Sequence, residues 1–430
     1  MKSVVCNAVN NMKDSGIKWL GMIPKHWDVV LVKNILRWKS VKGCGEKEVL
    51  SLYREYGVIP KSSRDDNHNV TSDNTDDYKL VEKGDFVINK MKAWQGSMGI
   101  SLYEGIISPA YYVCSFINEK VYKPYFHYLM RNSSYLPEYK RLSGGIRVGQ
   151  WDLGYDKFKS LPALLPPTLS EQRAIADWLD AKCADIDAAI ELQQRMIDKL
   201  KAYKTAVIHQ AVTKGLDKNA KLKDSGVQWI GEVPEHWGIV NIGSLYNQRN
   251  EKVSDKDYKP LSVTKKGILP QLETAAKTDN GDNRKLVRKN DFAINSRSDR
   301  KGSCGISDYD GSVSLINIVL YPIQEIENRY YNWLFHSPEF AEEFYRLGHG
   351  IVADLWTTRW SEMKGMRILL PPTLTEQRAI ADWLDAKCAD IDATIALKEQ
   401  KQEKLKAYKK TIIFEYVTGK KQVANINKQL

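Results

Sequence analysis

Two loops hold the side chains whose chemistry stands out. The first reads NKMKAWQGSMG over residues 89–99 and sets Lys90, Lys92, Trp94, Gln95 and Ser97 close together. The second reads NSRSDRKGSCG over residues 295–305 and carries Arg297, Arg300 and Lys301. Ammonium and guanidinium groups bind phosphates, amides read base edges and an indole stacks on a base. A solvated basic hairpin is the plain alternative for both. The rest of the chain offers no competing chemistry. There is no GxxxxGK[ST] loop and no GxGxxG after a strand. The Asn- or Asp-Pro-Pro-aromatic signature of amino-methyltransferases is missing, because both Pro-Pro pairs follow Leu and precede Thr. The 7 histidines are scattered, and His26 and His236 sit in Pro-x-His-Trp turns where packing is the expected role. A Glu-x-Lys pair at Glu138–Lys140 is a weak nuclease-like signal, since the second half has SPEFAEEF there and no lysine. No catalytic residue and no metal set is assigned.

These loops belong to a chain that is written twice. Residues 165–190, LPPTLSEQRAIADWLDAKCADIDAAI, return as residues 370–395 with changes only at Ser170/Thr375 and Ala189/Thr394. KDSGIKWLGMIPKHW (13–27) returns as KDSGVQWIGEVPEHW (223–237), KGDFVIN (83–89) as KNDFAIN (289–295), and GIS (99–101) as GIS (305–307). KLKAYKTAVIHQAVTKG (199–215) returns as KLKAYKKTIIFEYVTGK (404–420). An offset of 205 residues between the helix copies is too long for a solenoid. It describes two similar units, each a mixed globule with short strands and helices followed by a long helical arm, which can sit about a pseudo-two-fold axis.

Each arm has a readable start. Thr168 can accept from the first-turn N–H groups, Glu171 three residues on completes a capping box, and Pro166–Pro167 stop any helix from running in. Beyond Cys183, Ile186, Ile190, Gln193, Ile197, Leu200, Lys204 and Val207 step by four and three, a heptad seam. The second arm keeps Ile391, Ile395, Leu405 and Ile412, but its middle, KEQKQEK, is polar. The expectation is an antiparallel coiled coil of the two arms, frayed or water-facing at that stretch. An arm of about 30 residues is roughly 45 Å long. A single amphipathic helix packed on its own globule is the alternative.

The two halves differ where the arms do not. Residues 31–82 and 241–288 share little beyond Gly57/Gly267 and Pro60/Pro270. That contrast fits arms that dock one kind of partner twice and globules that recognise different things. Trp19/Trp229, Trp27/Trp237, Trp151/Trp356 and Trp178/Trp383 recur in both halves and read as scaffold. Trp38, Trp94, Trp333 and Trp360 do not, and Trp94 is the best candidate for ligand contact.

Composition agrees with a polyanionic partner. Over 430 residues the net charge is +11, with 43% hydrophobic and 27% charged residues. No apolar run approaches a bilayer span, and the first residues lack the apolar stretch of a signal peptide, so a cytoplasmic chain is expected. The 6 cysteines lie far apart without a CxxC pair and read as reduced thiols.

Two half-repeats, each with KDSGxxWxGxxPxHW, a [GN]DFxIN…GIS core and an LPPTLxEQRAIADWLD helix, resemble the specificity subunit of type I restriction–modification enzymes. The resemblance runs from about residue 13 to residue 420. It implies α/β (α+β) target recognition domains at 13–164 and 216–369 and helical spacers at 165–215 and 370–420, between short tails at 1–12 and 421–430. Each recognition domain would read one half of an asymmetric bipartite DNA site. The spacers would set the gap and hold two modification (methyltransferase) subunits, and restriction (translocase and nuclease) subunits would join through that core. The family subunit is non-catalytic, with S-adenosylmethionine held by the methyltransferase and ATP and Mg by the restriction subunit.

On this resemblance the expected DNA-facing residues in the first unit are Arg54, Lys61, Arg64, Lys90, Lys92, Trp94, Gln95, Arg147 and Gln150. In the second unit they are Lys265, Lys266, Arg284, Arg297, Arg300, Lys301 and Arg359. The expected partner surface is Glu171, Gln172, Arg173 and Trp178, with Glu376, Gln377, Arg378 and Trp383. The alternative is that these helix-start residues only anchor each arm to its own globule. Rival functions are a coiled-coil scaffold whose globules bind protein or non-specific DNA, and a self-contained methyltransferase or nuclease.

Overall fold

Alternation along single strands organises both halves. In a computed structural model of the chain, residues 11–423 are described apart from 55, 65–70, 72–73, 146–150, 272–280 and 351–355. The described chain divides into two units, Met1–Gln193 with Gln400–Leu430, and Gln194–Glu399. The outermost residues of both expected tails, 1–10 and 424–430, lie outside the described residues.

In the first unit four antiparallel strands stand in the order Leu36–Lys39, Tyr111–Phe116, Phe86–Asn89, Met98–Ile100. Successive side chains of a strand point to opposite faces. Phe86, Ile88 and Cys114 face a core with Tyr125, Phe126, Leu129 and Met130 of the helix Lys123–Arg131. Val87 and Val113 face the other way, onto Leu50, Leu52 and Val58 of the hairpin Leu50–Tyr53/Gly57–Pro60. Both faces are covered, which is why FVIN is a continuous apolar run with every residue buried. Burial also pushes the Cys114 thiol up to about 12, so it stays protonated.

The second unit carries antiparallel strands in the order Tyr246–Gln248, Asn317–Pro322, Phe292–Asn295, Cys304–Ile306. Phe292, Ile294, Ile318 and Leu320 face the helices Asn328–Phe335 and Pro338–Arg346, and Ala293 and Val319 face the hairpin residues Leu261 and Ile268.

In each unit a strand after the Pro-x-His-Trp turn pairs with the strand that leads into a long helix. These pairs are Asp28–Leu31 with Pro162–Leu165 and Gly238–Asn241 with Arg367–Leu370. Thr168 Oγ1 then accepts from the Glu171 N–H at 3.2 Å, and Thr373 Oγ1 from the Glu376 N–H at 3.2 Å. The expected return bond of the capping box is not made. The Glu171 carboxylate instead accepts from Trp27 Nε1 at 3.0 Å, and Glu376 accepts from Trp237 Nε1 at 2.9 Å. An indole N–H out of reach of water needs such an acceptor.

The two long helices are Leu169–Lys214, 46 residues, and Leu374–Val417, 44 residues. At ~1.5 Å per residue each is about 65–70 Å long, longer than the roughly 45 Å expected. The capped start and the heptad stretch form one uninterrupted helix. The polar middle of the second helix is not frayed but faces water along most of its length, with Glu399, Gln400, Lys401, Glu403 and Lys404 exposed. It is helical throughout, and Gln402 is 8% exposed with its Nε2 donating to the Ile190 carbonyl at 3.1 Å.

Within the first unit, Lys409 meets Asp187 at 2.6 Å and the Tyr416 ring stacks on Trp178 at 3.9 Å. Within the second, Lys204 meets Asp392 at 2.6 Å and Ile197 packs with Ile391 and Ile395. The end of the second helix is tied into the first core. Tyr125 donates to the Val417 carbonyl, and Gly419, at φ +69°, lies where an added Cβ would stand 2.4 Å from Pro24. Only glycine closes that approach without strain.

Candidate nucleic-acid interface

The loop after Phe86–Asn89 is shaped by its own backbone. Asn89 Oδ1 accepts from the N–H groups of Met91 and Lys92, a short 3-10 turn covers Ala93–Gln95, and Gly96 closes it at φ +82°. The turn places Lys92, Gln95 and Ser97 beside the 50–60 hairpin. Together with Leu52, Tyr53, Arg54, Tyr56 and Arg64 they line a cleft of about 350 Å³. Arg54 donates to Gln95 Oε1, and the Arg64 guanidinium lies 4.5 Å from the centre of the Tyr56 ring. The Arg54 carbonyl is held by the guanidinium of Arg131. Burial holds Arg131 below the ordinary arginine range.

The structure thus brings four of the expected DNA-facing residues, Arg54, Arg64, Lys92 and Gln95, into one cleft. The others in this unit are placed differently. Lys61 donates to Thr71 Oγ1. Lys90 is half-buried outside the cleft lining. Trp94 is half-buried, donates to the Met91 carbonyl at 3.2 Å and meets Trp151 edge-on at 5.3 Å, so it supports the loop. Arg147 and Gln150 lie outside the described residues, as does Glu55 of the hairpin turn. Tyr53 and Tyr56 were not among the expected residues. Their signal in the sequence is the aromatic bracket around Arg54 in LYREYG.

In the second unit the corresponding loop has two carboxylates beside its three cations. Asp299 lies 3.8 Å from Arg297 and 3.7 Å from Arg300, and Lys301 pairs with Glu342 at 2.8 Å. The Ser298 N–H donates to the Trp356 carbonyl at 2.9 Å, which brings exposed Trp356 to the loop. Lys265 and Lys266 are exposed at the tip of the 261–270 hairpin, and Arg359 is exposed at the start of a short helix. Arg284 is a correction. It is 5% exposed and donates to Ser312 Oγ at 2.8 Å and to the Ser312 carbonyl at 3.0 Å, so it satisfies the interior and faces no ligand.

The helix-start residues divide in the same way. Gln172 is 1% exposed: its amide donates to the Lys120 and Pro166 carbonyls, and its carbonyl accepts from Tyr122 N–H. Gln377 is 3% exposed, donates to the Pro371 carbonyl and accepts from Glu327 N–H. Both glutamines are buried and anchor each helix to its own globule, and the half-buried Glu171 and Glu376 hold the indole N–H groups of Trp27 and Trp237. Arg173 remains exposed over the Tyr122 ring, and Arg378 lies 3.4 Å from Glu327. Trp178 is covered by Tyr416, whereas Ala211 stands at the matching place in the second unit and Trp383 is 40% exposed. Trp333 donates to Asp385 at 2.8 Å, which makes it scaffold. The Glu138–Lys140 pair is split, with Glu138 on Arg141 at 2.8 Å and Lys140 over the Trp151 ring. Among the described residues no group of three or more His, Cys, Asp or Glu is placed to hold a metal, and no helix is long and apolar enough to cross a membrane.

His127 on the helix Lys123–Arg131 ties the cleft side to the core. Its Nδ1 accepts from Ile100 N–H at 3.1 Å. Desolvation first, then the neighbouring Arg131 charge, pull its pKa from 6.5 down to about 3. The folded ring is therefore neutral where the unfolded one binds a proton. Its contribution to stability is complete above about pH 6.5 and declines as pH falls toward 3, by up to roughly 1.4 kcal/mol per pH unit. Chemical denaturation between pH 7 and 4 should show the wild type losing stability faster than His127→Asn; equal slopes would contradict this.

The comparisons with known proteins follow these same elements. A family model described as the type I restriction modification DNA specificity domain matches residues 24–202. The MjaVIII type I restriction enzyme specificity subunit of Methanocaldococcus jannaschii is 24% identical over 434 residues, covering 94% of this chain and 95% of its own. A second chain of that organism, of the MjaX designation, is 26% identical over 362 residues and 80% of each chain. Among solved structures, the HsdS subunit from Thermoanaerobacter tengcongensis superposes with a TM-score of 0.52 at 15% identity over 95% of this chain and 100% of that one. A chain from work on complex assembly and conformational transition of the type I R-M system reaches a TM-score of 0.65 at 14% identity, covering 92% and 99%. The solved structures speak for the fold, and the sequence comparisons agree with it: residues 24–202 match the type I restriction modification DNA specificity domain, and the chain is similar over most of its length to specificity subunits of type I restriction enzymes.

Proposed function

We propose that this chain selects the DNA site of a type I restriction–modification complex and catalyses nothing itself. Residues 13–164 read one half of a bipartite site and residues 216–369 read the other. The helices of 165–215 and 370–420 pair as an antiparallel coiled coil about a pseudo-two-fold axis. That pairing sets the unread gap and docks two methyltransferase subunits, with Arg173, Arg378 and Trp383 among the contacts. Restriction subunits join through the same core. S-adenosylmethionine is bound by the methyltransferase, ATP and Mg by the restriction subunit, and the complex works in the cytoplasm. Lys and Arg supply salt-dependent affinity through counterion release, and a few loop side chains reach base edges.

One observation carries this reading: equivalent loops on equivalent strands present different chemistry. In the first unit the loop forms a cleft of cations and tyrosines, and in the second Arg297 and Arg300 share Asp299 and Lys301 pairs with Glu342. Two unlike surfaces on one scaffold suit two unlike half-sites. Opposed contacts such as Asp187–Lys409 in one unit and Lys204–Asp392 in the other support the antiparallel pairing. The test is co-expression with the cognate methyltransferase subunit and mapping of methylated bases across the host DNA. A single split motif with a constant gap, lost when this chain is deleted, is expected. No motif, with a methyltransferase active beside another specificity chain, would overturn the proposal.

A further inference from the structure

We infer that the cleft of the first unit reads a guanine, through Arg54 and Gln95 acting as one donor surface. This rests on the DNA-reading function proposed above and goes beyond it by naming the base. A guanidinium has donors only, so the Gln95 atom turned toward Arg54 must be its carbonyl oxygen, as the Arg54 Nη2 to Gln95 Oε1 hydrogen bond has it. Glutamine reads adenine by offering that carbonyl to N6 while its amide donates to N7. Here the carbonyl is engaged by Arg54. What the pair mainly has left to offer is donors, the Gln95 amide N–H groups and the remaining guanidinium N–H groups, against one lone pair of the Gln95 carbonyl.

The surroundings point the same way. Lys92, which lines the same cleft, adds a donor group. Among its described lining residues there is no carboxylate to accept from cytosine N4 or adenine N6. In the major groove guanine alone shows two neighbouring acceptors, N7 and O6, whereas adenine and cytosine each show an amino donor and thymine a single acceptor beside a methyl group. A phosphate also suits donors, but it needs no oriented pair. Arg54 is oriented twice, by Gln95 at its head and by Arg131 at its carbonyl. A planar fork held in that way favours two-point recognition of a base edge.

The experiment uses the full chain with its methyltransferase subunit. Methylated bases are mapped for wild type, Arg54→Ala and Gln95→Glu, and the same complexes are titrated with site duplexes carrying 7-deazaguanine at each guanine in turn. Arg54 is exposed, so its truncation leaves the core intact. The expected result is relaxed discrimination, by about ten-fold or more, at one G·C pair of one half-site. The other half-site and the gap should be unchanged, and the wild type should weaken with 7-deazaguanine at that pair only. Relaxation at an A·T pair, or reduced methylation with an unchanged motif, would overturn the guanine assignment while the parent function stands. No motif from the wild-type chain with an active partner would instead remove the parent function.

Discussion

Replacing Gln172 by leucine is expected to destabilise the first unit by about 3 kcal/mol or more, although the two side chains are similar in size. The amide donates at 2.9 Å to the carbonyls of Lys120 and Pro166, and its oxygen accepts at 2.7 Å from Tyr122 N–H. Leucine leaves these three main-chain groups without that partner in a site where the side chain is 1% exposed, and each such group costs about 1–3 kcal/mol. Gln377→Leu removes two such bonds and should cost less. Denaturant unfolding of both variants checks the order. The same pair of variants separates anchoring from docking. If Gln172→Leu unfolds as the wild type does but fails to assemble with the methyltransferase, the residue is a partner contact and its anchoring role is wrong.

Trp27→Ala should have the largest effect on the first unit, about 3–5 kcal/mol from the emptied core alone. The indole is 2% exposed, meets Tyr125 edge-on at 6.3 Å and donates to Glu171. Its loss also strips the Glu171 carboxylate of one of its two partners, leaving His26 at 3.1 Å. The damage should centre where the Pro-x-His-Trp turn, the start of one long helix and the end of the other meet. Hydrogen exchange should therefore rise first in the strands Phe86–Asn89 and Tyr111–Phe116 and around Val417. Trp27→Phe keeps most of the apolar area and removes only the donor, so it should lose about 1–3 kcal/mol. An alanine variant with wild-type exchange in those strands would show that the turn does not organise this core.

The repeated motifs announce themselves through local physics. A Pro-Pro stop, a threonine cap and steps of four and three along Ile186, Ile190, Gln193, Ile197, Leu200, Lys204 and Val207 need no tertiary partner to be read. Strands such as FVIN are legible because an apolar run of that length suits a strand covered on both faces. The basic loops at 89–99 and 295–305 were also legible, since lysine and arginine beside glycine mark a surface turn.

The destination of each polar side chain was not legible. Glu171 has the capping-box spacing from Thr168 and Gln172 reads as an exposed helix-start residue, yet Glu171 turns to Trp27 and Gln172 to main-chain groups far along the chain. Arg284 reads as a free cation and is consumed by Ser312, while Arg54 and Gln95, far apart in sequence, are joined across a cleft. Sequence by itself determined the helices, the doubled architecture's motifs and the places where charge gathers, because these follow from neighbours a few residues away. Which of those charges stay available to a ligand was decided only by the tertiary structure. A buried N–H or carbonyl takes the nearest partner that packing supplies, and packing brings together residues that the sequence keeps apart.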